Sequence, residues 1–359
     1  MNLLNETLKN IHPSYKQAMK SAWERMDKLS KPIGSLGQLE EIAVKMAGIT
    51  GKVKNKIDKK TTVVMCSDNG IWEEGVSACP LELTALITDN YTKGFTGIGV
   101  LSNFASSEVC VVDIGVKADF NNPKIINKKI AYGTRNMAKE PAMTREETVR
   151  AIEVGIETID KLVAEGYNLF GTGEAGMCNT ATSAAVVSVL VDIDSDLVVG
   201  KGSGLTEEQF ENKKRVISNA IKLNNPNKED AIDVLSKVGG FDIAGLCGCF
   251  LGAAKNRVPI VIDGIISYAA ALCAYKICVD VKDFMFSSHM PVEPGAQYVI
   301  KELGLKANLN LEMRLGEGTG CPLEFLIIEA ALNIMNDMYT MEEANIHNNE
   351  FFVDIRKDK

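Results

Sequence analysis

From residue 61 onward the sequence predicts an α/β protein: a largely parallel sheet with helices on both faces, joined to a small helical domain built from the two chain ends. Two patterns predict it. The short β-branched or apolar runs TTVVMCSD, SSEVCVVDIG, GYNLFGTG, VPIVIDG and DFMFSSH recur along the chain, and each stops at Gly, Asp or His. Windows with helical periodicity fill the intervals 82–105, 144–164, 206–223, 242–256 and 322–338. Strands alternating with helices over this length form parallel sheets, because a parallel neighbour needs a long crossover. Right-handed crossovers put the strand carboxyl ends on one edge. Ligands bind outside those ends in open sheets. The polar residues that follow each run are therefore expected to line one cleft.

The first fifty residues read as helical. Leu3, Leu4 and Leu8, then Tyr15, Met19 and Trp23, roughly follow a 3.6-residue period. LSKPIGSLGQLE interrupts it at Pro32 and Gly34, and a second helix is expected from Ser35 to about Ala47. The lysine-rich GKVKNKIDKK reads as a solvated linker. The final MEEANIHNNEFFVDIRKDK lacks strong periodicity and is assigned to the same small domain. The expected division is 1–55 and 336–359 for that domain, with 56–335 as the large one.

Composition narrows the function. A chain of 359 residues, 46% hydrophobic, can bury a large core plus an appendage. Its net charge is -8 with acids and bases interleaved, which disfavours a nucleic-acid partner needing a basic face. No apolar run reaches the roughly 18 residues of a membrane span. The longest, Val258 to Ala274, is broken by Asp263, Gly264 and Ser267. MNLLNETLKN does not resemble a signal peptide, so a cytoplasmic location is expected. Nine cysteines occur without CxxC zinc spacing, and the only histidines are His12, His289 and His347. Reduced thiols, no metal and no cofactor are expected.

Several segments carry chemistry. GTGEAGMCNTATSAA (171–185) puts glycines, Glu174, Asn179 and Thr180 at a strand-to-helix turn, where free amides favour anions. An ordinary connection with Asn179 as helix N-cap reads the same way locally. VVGKGSGLTEEQFENKK (198–214) offers another phosphate-sized turn, although GxGxG is a weak signal, and Lys213 alone is by default a solvated helix lysine. RLGEGTGCPL (314–323) sets Glu317 between two glycines, as suits a general base in a ligand-lined loop. In FSSHMPVEPGA (286–296), Ser288 and His289 should diverge on an extended backbone, so they read as polar lining. CSDNGIWEEGVSACP (66–80) could cover the cleft, and VDIDSD (191–196) is a weak match to an acidic ribose-binding segment.

Together these segments resemble the nicotinate-nucleotide–dimethylbenzimidazole phosphoribosyltransferase family. LSKPIGSLGQLE, DNGIWEEGVSACP, GTRNMAKEPAMT, GEAGMCNT, VGKGSGL, GGFDIAGLCGCFLGAA, SSHMPVEPG and LGEGTG match in order. The resemblance implies a Rossmann-like large domain, a dimer in which one subunit's small domain helps close the other's site, and nicotinate mononucleotide plus an aromatic base as substrates. It implies Glu317 as general base and Glu174 beside the ribose. Gly176, Asn179, Thr180, Gly202, Ser203, Gly204, Lys213, Gly316 and Gly318 would surround ribose and phosphate. Asn69, Pro80, Leu86, Ala175, Leu315, His289 and Pro291 would form the acceptor pocket.

The pattern departs where the acceptor should sit. The family's Asp-His-Gly reads Asp68-Asn69-Gly70, a usual glutamine is Leu86, the Gly-Glu-Met turn carries Ala175 and Cys178, and a common serine is Pro291. Losing polar partners relaxes discrimination for acceptors that need them. A phenolic acceptor (phenol or p-cresol) thus stands beside dimethylbenzimidazole. Phenol-activating relatives pair two related chains, so the resemblance allows a homodimer or a heterodimer. A silent partner subunit is opposed by retention of Glu174, Lys213 and Glu317. A nicotinamide-dependent oxidoreductase would need GxGxxG after the first strand, which is not found.

Overall fold

The computed structural model describes residues 2–202, 204–346 and 354–358. Ser203 and His347 therefore lie outside the described residues. Among the described residues seven strands, β1 (Lys60–Ser67), β2 (Glu108–Gly115), β3 (Ile125–Asn127), β4 (Leu169–Ala175), β5 (Ile260–Ile262), β6 (Met285–His289) and β7 (Ala307–Leu309), form one sheet. Their order is β3-β2-β1-β4-β5-β6-β7, and every neighbouring pair is parallel. The chain winds outward from β1 to β3, then crosses to β4 and winds the other way. The crossovers on either side of β1 and β4 thus diverge, which opens a crevice at their carboxyl ends.

The five expected strands are present. The edge strands β3 and β7 go beyond them, since three residues are too short to show a period. All residues of β1 and β4 are buried, so these central strands read as continuous rather than alternating runs. The expected helix over 82–105 is two, Leu83–Tyr91 and Gly97–Phe104, separated at Gly94 with φ +79°. Four helices, Asn179–Val191, Ala231–Val238, Ile265–Ile277 and Gly295–Leu303, fall outside the predicted windows. Ile265–Ile277 is buried from Ile265 through Ala274, so it has little polar face to mark its period.

Helix Arg145–Ala164, started by a Thr144/Glu147 capping box, packs against helix Phe241–Lys255. A side chain on Gly155 would strike Gly245 O, and one on Gly248 would strike Ile152 O, so the two backbones touch. That contact seats the amino end of Phe241–Lys255, and with it Asp242, at the crevice.

The amino-terminal helices are Leu3–Lys9, Lys16–Met26 and Gln38–Thr50, the last starting three residues later than expected. Residues near the other end return to them. Leu29 pairs with Thr340 in an antiparallel bridge, and Ser30 N donates to Tyr339 O at 2.9 Å. Arg25 Nε donates to Met335 O at 2.8 Å, and Arg356 pairs with Asp27 at 3.0 Å.

Candidate active site

Glu317 owes its position to a loop that lies directly on β4. A Cβ on Gly173 would come within 2.7 Å of Glu317 O, so only glycine lets the loop approach. Gly316, Glu317 and Gly318 have φ of +77°, +60° and +86°. Three successive left-handed residues are costly, most of all for the one with a side chain. Buried acids hold the loop there. Glu317 N donates to Glu174 Oε1 at 3.2 Å, while Gly318 N and Gly320 N donate to the two oxygens of Asp263 at 2.9 and 2.6 Å. The Glu317 carboxyl is left half-buried beside the Tyr91 hydroxyl. Burial pushes its pKa up, against a smaller pull downward from Tyr91. A carboxyl so raised suits a base working near neutral pH.

Behind the loop is a chain of buried groups. Cys178, at φ +70°, is the N-cap of helix Asn179–Val191, and Asn179 is its first residue. The N-cap reading of Asn179 is therefore wrong. Its side chain turns back to β4 and donates to Glu174 Oε2 and, at 3.2 Å, to Asp242 Oδ2. Burial raises the pKa of Glu174 well above the carboxylate range, and pushes Asp242 and Asp263 up to about 7. Asp263 stays high although backbone amides donate to it.

The second glycine turn lies next to this group. Lys213 is 1% exposed, which corrects the expectation of a solvated lysine. Its Nζ donates to Thr180 Oγ1 at 2.9 Å and Gly200 O at 3.0 Å. The turn at 199–202 folds over it, which no local pattern reveals. Burial lowers its pKa, and its hydrogen-bond partners, a hydroxyl and a carbonyl, do not neutralise it. A Cβ on Gly202 would sit 3.5 Å from Nζ, and Gly202 and Gly204 both have positive φ, +57° and +102°. An ammonium held against open backbone is suited to a phosphate.

Residues 11–346 match the model of a phosphoribosyltransferase family. A protein of Clostridium tetani named nicotinate-nucleotide–dimethylbenzimidazole phosphoribosyltransferase is 68% identical over 357 residues, 99% of each chain. This chain belongs to the nicotinate-nucleotide–dimethylbenzimidazole phosphoribosyltransferase family. A relative of the same name from Clostridium acetobutylicum is 54% identical, over 96% of this chain and 98% of that one. The crystal structure of CobT from Thermus thermophilus superposes with TM-score 0.89 at 34% identity, covering 92% of this chain and 99% of the other.

In this phosphoribosyltransferase the seven residues expected around the acceptor fall into three sets. Asn69 and Ala175 are buried at the ends of β1 and β4. Pro80, Leu86 and Leu315 are exposed, Leu86 at 58% and Leu315 at 59%. A Cβ on Gly97 would lie 2.8 Å from Leu315 Cδ2, so Leu315 rests on the start of helix Gly97–Phe104. His289 and Pro291 are closed off. His289 Nδ1 is 3.1 Å from Ser288 Oγ and 3.8 Å from Asp263 Oδ1, against the expectation that the Ser288 and His289 side chains diverge. Burial lowers the His289 pKa to about 4, which leaves it neutral. Ser288 Oγ donates to Ile262 O at 2.7 Å and is not free to act as a nucleophile.

Sequence reasoning misses Asp263, Asp242 and Tyr91. Asp263 ends the run VPIVIDG, where an acid reads only as an interruption. Asp242 stands inside the apolar GGFDIAGL, where a buried acid is itself a signal. An open cavity of about 750 Å³ lies at the opposite edge of the sheet, lined by Lys52, Asn168, Arg257 and Asn336 among others. It shares no residue with the loop that holds Glu317.

Proposed function

We propose that this enzyme transfers the phosphoribosyl group of nicotinate mononucleotide to 5,6-dimethylbenzimidazole, with Glu317 as general base. The observation that carries this reading is the half-buried Glu317 carboxyl. It is fixed at the sheet's switch point by amides that Glu174 and Asp263 hold. Relatives named for this reaction, matched along nearly their whole length, support it.

The chemistry asks little of the protein beyond alignment and one proton acceptor. The C1′–N bond of the nucleotide breaks with its electron pair moving to the pyridinium nitrogen, which leaves nicotinate with a neutral ring. The acceptor's ring nitrogen attacks C1′ from the opposite face and gives the α-riboside 5′-phosphate. Bonding makes the acceptor's remaining N–H acidic, and Glu317 takes that proton. General base catalysis of this kind contributes on the order of 10²–10⁴ in rate, and alignment of the reactants much of the rest. Lys213, Thr180, Gly176, Gly202 and Gly204 are assigned to the phosphate and ribose. In the protein alone, burial keeps the Glu174 pKa high. A pyridinium bound beside it would draw the carboxyl toward its ionised form. The carboxylate then stabilises positive charge building at C1′.

A phenolic acceptor is the second reading. It is favoured by the apolar rim, where Leu86 and Leu315 are exposed. Competition decides between the two. The purified chain is given nicotinate mononucleotide with equal phenol and dimethylbenzimidazole, and products are identified by mass. The N-riboside of the benzimidazole is expected. A dominant O-riboside replaces the acceptor, and no nicotinate release from the isolated chain returns it to the role of partner subunit.

A further inference from the structure

Asp242 is buried at the crevice with half of its carboxyl unexplained. Oδ2 accepts the Asn179 amide at 3.2 Å, but Oδ1 has no hydrogen-bond donor. Asn69 Oδ1 is in the same condition, because the Asn69 amide nitrogen donates to Met177 O at 3.2 Å and the carbonyl is left over. The two orphan oxygens converge on one place. A Cβ on Gly240 would lie 2.5 Å from Asp242 Oδ1 and 2.6 Å from Asn69 Oδ1. Two buried acceptors facing one small gap repel each other unless a hydrogen lies between them, and an unsatisfied one costs on the order of 1–3 kcal/mol. Asp242 is 0% exposed and Asn69 1%, so donors in bulk solvent do not reach them.

We infer that Asp242 is a positioning residue that works in its protonated form, donating to Asn69 Oδ1 while accepting the Asn179 amide, so that Asn179 fixes Glu174. This rests on the phosphoribosyl-transfer reading. The backbone amides of Asp242 and Ile243 act on the carboxyl, yet no donor reaches Oδ1, so the carboxyl itself is taken as the source of the missing hydrogen. The titratable groups that face Asp242 are Cys66 of β1, Asp68 just past its end and Glu174 of β4, none of them cationic. Burial, first, favours the neutral acid; the Asn179 amide and the backbone amides of Ile243 and Asp242 pull the other way, the charge of Asp68 adds a smaller push, and the pKa still rises to about 7. With its nitrogen held by Met177 O, Asn69 turns only an acceptor toward Asp242, and the donor must come from the acid.

The consequence runs along the site. Asn179 bridges Asp242 and Glu174, and Glu174 accepts the amide of Glu317. Ionising Asp242 breaks the link to Asn69 and loosens the first member of that chain. Activity should therefore decline as pH rises through about 7, on top of the rise that Glu317 ionisation gives at lower pH.

Asp242→Asn is the decisive variant, because its amide can donate to Asn69 while its oxygen accepts from Asn179. Rates at saturating and limiting nicotinate mononucleotide are measured from about pH 5.5 to 9 for the parent, Asp242→Asn and Asp242→Ala. Asp242→Asn should keep kcat within roughly threefold at neutral pH and lose the alkaline decline. Asp242→Ala should lose roughly 10- to 100-fold in kcat, the size of a buried hydrogen-bond pair broken on one side. If Asp242→Asn falls as far as Asp242→Ala, or keeps the alkaline decline, the protonated role is overturned. If Asp242→Ala matches the parent, the positioning role is overturned. Thermal midpoints report folding, and should Asp242→Ala not fold, the pH profiles of the parent and Asp242→Asn decide alone. A parent that releases no nicotinate would count against the reading of the function, not against this inference.

Discussion

Replacing Lys213 by Met tests the phosphate turn with little change in side-chain length. Lys213 Nζ donates to Thr180 Oγ1 at 2.9 Å and Gly200 O at 3.0 Å, and the side chain is 1% exposed. Its charge is therefore desolvated and hydrogen-bonded to neutral groups, with the charge of Glu293 also acting on it, and two of its three N–H donors are used, which leaves one for an anion. A hydrogen bond from a charged group is worth about 1.5–3 kcal/mol, so kcat/KM for nicotinate mononucleotide should fall roughly 10- to 150-fold. Stability should change less. The thioether leaves a hydroxyl and a carbonyl short of a partner, but it also removes a buried charge, and these effects oppose each other. The assay compares nicotinate mononucleotide with nicotinate riboside, which lacks the phosphate. The variant should lose most of the parent's preference for the phosphorylated substrate while its rate on the riboside changes little. Equal losses on both substrates would refute the assignment, because Lys213 would then support the fold of the turn and not the phosphate.

Glu317→Gln should lower kcat by roughly 10²–10⁴ while calorimetry still shows nicotinate mononucleotide binding. The parent's activity should be lost as pH falls through the raised Glu317 pKa, because only the ionised form accepts a proton, and the variant should lack that limb. Gly318→Ala puts a Cβ at φ +86° and 2.6 Å from Thr62 Cγ2, which should cost about 1–3 kcal/mol in a denaturant titration, and more than about tenfold in rate through displacement of Glu317. Lys31→Met strands Glu40, 1% exposed and bonded to Lys31 at 2.6 Å. It should lower unfolding free energy by about 3–5 kcal/mol, and adding Glu40→Leu should recover much of the loss.

The large features are legible because each has a local cause. β1, β2, β4, β5 and β6 are apolar runs stopped by a polar or glycine residue, and right-handed crossovers then dictate which edge those stops share. Glu317 is legible because a left-handed backbone on either side of it demands glycine, and Gly316 and Gly318 supply the mark. Lys213 misleads because its neighbours Asn212 and Lys214 look like a solvated helix face, and its burial comes from a turn that closes over it in space. Asp263 carries no local mark because its partners, the amides of Gly318 and Gly320, lie 55 and 57 residues on.

That distance between Asp263 and its partners exposes how the site is built. The strained loop at 316–318 is not stabilised by its own sequence; it is held by acids from β4 and from the end of β5. Burial pushes the pKa of both acids upward, so the groups that fix the base's position also set the field around it. Geometry and electrostatics are therefore not separable here. Asp263→Asn would leave one oxygen to accept where two now serve, so it would free a loop amide as well as remove a charge. A rate loss in that variant would measure the release of Glu317 from its strained backbone together with the change in its pKa. Only a variant that keeps both acceptors, such as Asp263→Glu, could separate them.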